Sequence, residues 1–136
     1  MKISHAPWNE LLSRHIHASA DGINLFAYRT VDAADRKRLK DYLQSLQQAA
    51  VSSLDRDEQM ALWINLYNVL VIHGVVALAI ERSVMEVPSF FATVAYRVGD
   101  LLFTPDEIEN GILRCNAPHP ATGMRPFAPH DPRLAL

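Results

Sequence analysis

Twenty consecutive residues, Ala61 to Ile80, contain no Asp, Glu, Lys or Arg, and two asparagines and a histidine sit inside that run. As a helix the run is roughly 30 Å long, enough to cross the apolar part of a bilayer. It therefore has three readings: a membrane span, the central core helix of a domain, or a helix holding a buried polar site. Three features oppose the membrane reading. Asn65, Asn68 and His73 would each need a partner in lipid. Neither flank carries a cluster of Lys or Arg to set an orientation. The amphipathic helices expected on either side need an apolar surface to cover, and this segment supplies it.

The remainder of the chain fits a core helix. With 136 residues, 49% hydrophobic and 21% charged, the chain has the length and composition of one ordinary globular domain. A net charge of -2 gives no basic surface for nucleic acid. The single cysteine, Cys115, excludes an internal disulfide and a multi-cysteine metal centre. The N-terminus shows no secretory-type apolar stretch, so a cytoplasmic location is the expectation, with no membrane partner.

Local signals place the elements. Pro7 suits a first helical turn, and Trp8, Leu11, Leu12, His15, Ile16 and Ser19 follow at spacings of three and four. Asp21-Gly22 is a turn signal, and Ile23 to Tyr28 is expected to be extended. Asp32 caps a second helix carrying Leu39, Tyr42, Leu43 and Leu46. Asp55 and Glu58 have the spacing of a capping box opening the long helix, expected over about 56–82. Thr93 to Phe103 alternates around Gly99-Asp100 and predicts one small β-hairpin. Thr104-Pro105-Asp106-Glu107 then opens a helix to Arg114 that buries Ile108, Ile112 and Leu113. Five prolines among the last 21 residues predict a tail without regular structure. The fold class is α+β and mostly α: helices around a central apolar helix, one hairpin and a proline-rich tail. Residues 1–54 form a helical region preceding 55–136, in one compact unit.

At 100° per residue, Glu58 and Asn65 fall about 20° apart and Asn65 and Asn68 about 60° apart on the long helix. Glu58, Asn65, Tyr67, Asn68 and His73 are the candidate polar site. The asparagines either brace the backbone of the hairpin or tail, or orient a ligand. For Glu58 capping is the simpler role, and for His73 a satisfied core histidine is. No spacing of His, Cys or acids suggests a metal, and no cofactor is expected. Cys115 follows a helix C-terminus, where the dipole disfavours thiolate.

The segment Glu58-Gln59-Met60-Ala61-Leu62-Trp63-Ile64-Asn65-Leu66-Tyr67-Asn68-Val69-Leu70-Val71-Ile72-His73-Gly74 resembles the signature of the family called domain of unknown function 547. The resemblance continues through Val94 to Gly99, Phe103 to Arg114, Pro126 to Pro129 and Asp131 to Arg133. It implies no settled activity. Family members usually continue into a segment with a histidine and a pair of cysteines near a proline, which would suit a thiol hydrolase. Against that pattern the chain is expected to be a C-terminally truncated copy, with apolar surface left near Leu134 and Leu136 through which it could self-associate. Relatives often carry histidine where Asn110 stands and glycine where Cys115 stands. The expected function is a binding, scaffolding or structural module. The alternative is a degenerate or truncated thiol-hydrolase-like domain without its nucleophile.

Overall fold

The computed structural model describes residues 3–136. Helix α1 (Ala6–His15) begins with proline in its first turn and buries Trp8, Leu11 and His15. Its apolar stripe ends there, because Ile16 leaves the helix and is exposed in strand β1 (Ile16–Ala18). Strand β1 pairs antiparallel with β2 (Asn24–Phe26), and Gly22 takes a positive φ in the connecting turn. This second hairpin was not expected. Helix α2 (Ala33–Gln47) starts where the Asp32 side chain accepts the Asp35 N–H.

Helix α3 (Arg56–Ala77) opens with the expected reciprocal box between Asp55 and Glu58. Leu62, Leu66, Val69 and Leu70 are completely buried along it. Each such side chain contributes roughly 1.5–3 kcal/mol relative to exposure. The helix stops at Ala77, short of the expected 82. Ala79 turns left-handed with φ 50, and the Ile80 N–H reaches back to the Val75 carbonyl while the Ala79 N–H bonds Val76. That two-bond closure satisfies the last carbonyls and ends the helix without glycine or proline.

The expected hairpin is shorter than predicted, with β3 (Tyr96–Val98) paired to β4 (Leu101–Phe103) across Gly99. Phe90–Thr93 is instead a short helix, α4. The Gly99 N–H donates to the carbonyl of Gln47, which ties the hairpin turn to the end of α2. After Thr104, whose hydroxyl accepts the Glu107 N–H, the expected helix is wider than an α-helix: Glu107–Leu113 is π-helical. The tail, expected to lack regular structure, ends in a single 3-10 turn over Pro132–Ala135.

Packing follows the chain order. Helix α1 rests on α2, α2 on α3, and α3 on the π-helical segment. One buried cluster runs from Trp8 through Leu39, Tyr42 and Leu66 to Phe103, Ile108 and Phe127. Trp8 lies flat on Tyr42, with ring centroids 5.9 Å apart and planes at 5°. Leu136 packs against the same cluster, while Leu134 is exposed.

Candidate functional site

The five sequence-predicted residues do not converge. Glu58 is at the start of α3, where it accepts the Asp55 N–H. His73 lies about four-fifths of the way along, with Nδ1 2.6 Å from the Tyr96 hydroxyl. Burial, with Lys40 nearby, lowers the His73 pKa, and burial raises that of Tyr96. The imidazole and the phenol thus hydrogen-bond each other as a half-buried pair. Asn65 is half-buried and Asn68 exposed, so the premise that both are buried fails. Neither side chain hydrogen-bonds the hairpin or the tail among the described residues. Asn68 and Tyr67 instead line a groove of about 310 Å³ with Ile64, Glu109 and Leu113. Tyr67 is pushed up to about 12 by burial, and Glu109 and Asp106 add to the rise.

The tail is braced by a different asparagine. Asn116 donates from Nδ2 to the Phe127 carbonyl at 3.1 Å and accepts the Phe127 N–H at 2.9 Å. One side chain thus does for Phe127 what a neighbouring strand would do. The Phe127 ring presses on Gly111 so closely that a Cβ there would lie 2.3 Å from it. Arg133 covers the other side, its guanidinium 4.2 Å from the Phe127 centroid. It forks onto Asp131 at 2.9 and 2.8 Å, donates to the Leu102 carbonyl at 3.0 Å and pairs with Glu107. Hydrogen bonds from Arg133 hold Asp131 below the usual carboxylate range. For Glu107 burial wins over the same arginine and the carboxyl is raised.

This staple sets the position of the tail against the segment after α3, and a cleft of about 660 Å³ lies between them. Its apolar wall comes from Val84, Met85, Val87, Pro88 and Phe91, with Met124 opposite. Met85 and Met124 are 83% and 72% exposed, a large apolar area for so short a stretch. The wall is held by Ser83 and Glu86, which cap each other's backbone, and by Phe90. Phe90 is buried with its ring against Gly74 of α3, where a Cβ would come within 2.8 Å. Ser89, just before it, is left-handed with φ 53. Residues in such conformations, and π-helical turns, cluster at functional sites.

The polar end of the cleft holds Thr104, Asp106, Glu107, His119, Thr122 and Arg125. His119 Nδ1 accepts the Ala121 N–H at 3.0 Å, so its proton sits on Nε2, 3.6 Å from Asp106. Arg125 gives one guanidinium N–H to the Asn116 carbonyl at 2.7 Å. Ser89, His119 and Asp106 all line this cleft, yet they make no proton relay. The imidazole lone pair that would take a serine proton already accepts a backbone N–H. Cys115 is exposed on the loop beyond the π-helical segment and does not line the cleft. No group of three His, Cys, Asp or Glu residues among those described has metal-binding geometry. A second cavity, about 760 Å³, lies between the start of α1, α2 and the turn at Val51–Leu54.

Sequence reasoning did not single out Ser89, Met124 or Arg125, which lie in segments with no periodicity. The one signal pointing there was the Thr104–Glu107 cap, which fixes where the polar end begins. Comparison with known proteins agrees with the motif. The sequence model of the family described as "Protein of unknown function, DUF547" matches residues 51–136, and the chain belongs to that family. Neither the curated proteins nor the solved structures give a significant match.

Proposed function

We propose that this member of a family without an assigned activity is a binding module, and that its ligand occupies the cleft between Val84–Phe91 and the proline-rich tail. The observation that carries the reading is the composition of that cleft. About 660 Å³ with one apolar wall and one polar end is the size and character of a small-ligand site. Methionines such as Met85 and Met124 adapt their shape to a bound apolar group at little cost. The cleft also lies wholly within the residues matched by the family. The cavity between α1 and α2 draws most of its lining from outside that stretch.

The reading keeps the domain in the cytoplasm, without a nucleic-acid or membrane partner. The net charge of -2 supports the first exclusion. By length and composition α3 is one helix that could cross a membrane. Its contacts to α2 and the π-helical segment support a core role instead.

An amide-resolved NMR titration with a library of small apolar compounds tests the proposal. Saturable shifts are expected at Phe91, His119 and Met124, and should weaken in Phe91→Ala. Saturable binding confined to the cavity by Tyr42, or no binding by any compound, would overturn it.

A further inference from the structure

We propose that Met85 and Met124 form a paired oxidation site that closes the cleft to apolar ligands. The proposal rests on the cleft reading above and deepens it, adding a chemical control on the same walls.

The two sulfur atoms are placed where an oxidant reaches them. Among the described residues Met85 and Met124 are the most exposed large hydrophobic side chains, at 83% and 72%, and the next, Ile23, is at 59%. No other exposed large hydrophobic residue among those described lines the cleft. The backbone beneath each methionine is fixed. The Met85 N–H donates to the Ser83 hydroxyl at 3.1 Å, and the Met124 N–H donates to the Thr122 hydroxyl at 3.3 Å. The Glu86 carboxylate accepts the Arg82 and Ser83 N–H groups, and the His119 N–H closes the other loop on the Met124 carbonyl at 2.8 Å. The same two-residue turn thus presents a thioether to solvent on each wall. Met60, 43% exposed on α3, and Cys115 lie outside the cleft.

With hydrogen peroxide, the thioether sulfur attacks one peroxide oxygen and the O–O bond breaks. The departing hydroxide takes the proton of the transferred hydroxyl and leaves as water. Sulfur loses two electrons and peroxide gains them. The product, methionine sulfoxide, is polar, and a reductase returns it to the thioether. An apolar ligand against that wall strips water from the sulfoxide oxygen and offers it no donor, which opposes binding.

The test uses the intact chain with Cys115→Ser, a change outside the cleft that removes the competing thiol. Under graded peroxide, peptide mass spectrometry should find Met85 and Met124 oxidised several-fold faster than Met60. NMR titration with indole, an uncharged apolar probe, should then show at least about tenfold weaker binding in the cleft. Methionine sulfoxide reductase should restore it. A chain with Met85→Leu and Met124→Leu should bind indole equally before and after peroxide. Equally fast oxidation of Met60, unchanged affinity in the oxidised parent, or an equal loss in the double variant would overturn the proposal while the cleft reading stands. If indole does not bind the unoxidised cleft, the proposal fails, and the wider library decides the cleft reading.

Discussion

The two ends of the molecule are held by different means. In residues 6–47 regular helices meet over an apolar interface, and a buried hydrogen bond between His15 and Asp35 joins their ends. His15 Nε2 lies 2.6 Å from Asp35, and Arg14 and Arg38 reach the other carboxylate oxygen at 2.7 and 3.2 Å. In residues 84–136 little backbone pairs with backbone over any length. Single side chains hold the chain: Asn116 on Phe127, Arg133 on four groups, Phe90 against Gly74. The first arrangement spreads its free energy over many contacts. The second concentrates it in a few and leaves an open cleft beside them. Segments of low local stability are where binding surfaces are usually found.

That contrast can be broken most directly at Asp35. Asp35→Ala would leave the buried His15 without its partner, beside Arg14 and Arg38, whose side chains are 41% and 51% exposed. A loss of about 3 kcal/mol is expected from urea unfolding, because a buried hydrogen-bonding group is left unmet and two arginine contacts go with it. The same residue sets an acid limb. Burial alone would raise the Asp35 carboxyl, but the His15 hydrogen bond, Arg14 and Arg38 hold it below the usual range. Its contribution is therefore complete above about pH 4, the unfolded value, and is lost as pH falls through the lower folded value. Stability measured from pH 5 down to pH 2 should drop in the parent and drop less in Asp35→Ala. Equal slopes would show that the pair is not ionised.

Gly111→Ala should be smaller and local. A methyl group 2.3 Å from the Phe127 ring forces the tail outward, at a cost of about 1–3 kcal/mol. Hydrogen exchange should quicken at Phe127 while protection in α2 holds. If α2 loses protection equally, the two ends are one cooperative unit and the contrast is wrong. Smaller still is Cys115→Gly. Cys115 sits at φ 53, a region costing a side-chain-bearing residue about 1–2 kcal/mol, while glycine loses part of that gain in the unfolded chain. A rise in melting temperature of a few degrees is expected, and a fall would show that the thiol makes an unrecognised contact.

Caps were legible because they are short-range: Asp32, Asp55 and Thr104 each act within three residues. The core side of α3 was legible from its lack of charge. Its end was not, since Ala79 carries no residue-type signal for a left-handed turn. The wheel angles set Asn65 and Asn68 about 60° apart on α3, but angles do not say what each residue meets. Asn68 lines a groove rather than meeting the tail. The π-helical segment carries a ring sixteen positions beyond Gly111 on its surface, and no local pattern encodes such a contact. The cleft is harder again, because its two walls come from segments without periodicity.

Gly74 has a consequence for how this protein tolerates change. The Phe90 ring fits there like a peg in a socket, and the socket is the missing side chain of a helix that lines no part of the cleft. A single methyl at that distant position would unseat the peg and tilt the whole cleft wall. Variation at Gly74 would then reshape the cleft while every residue lining it kept its identity.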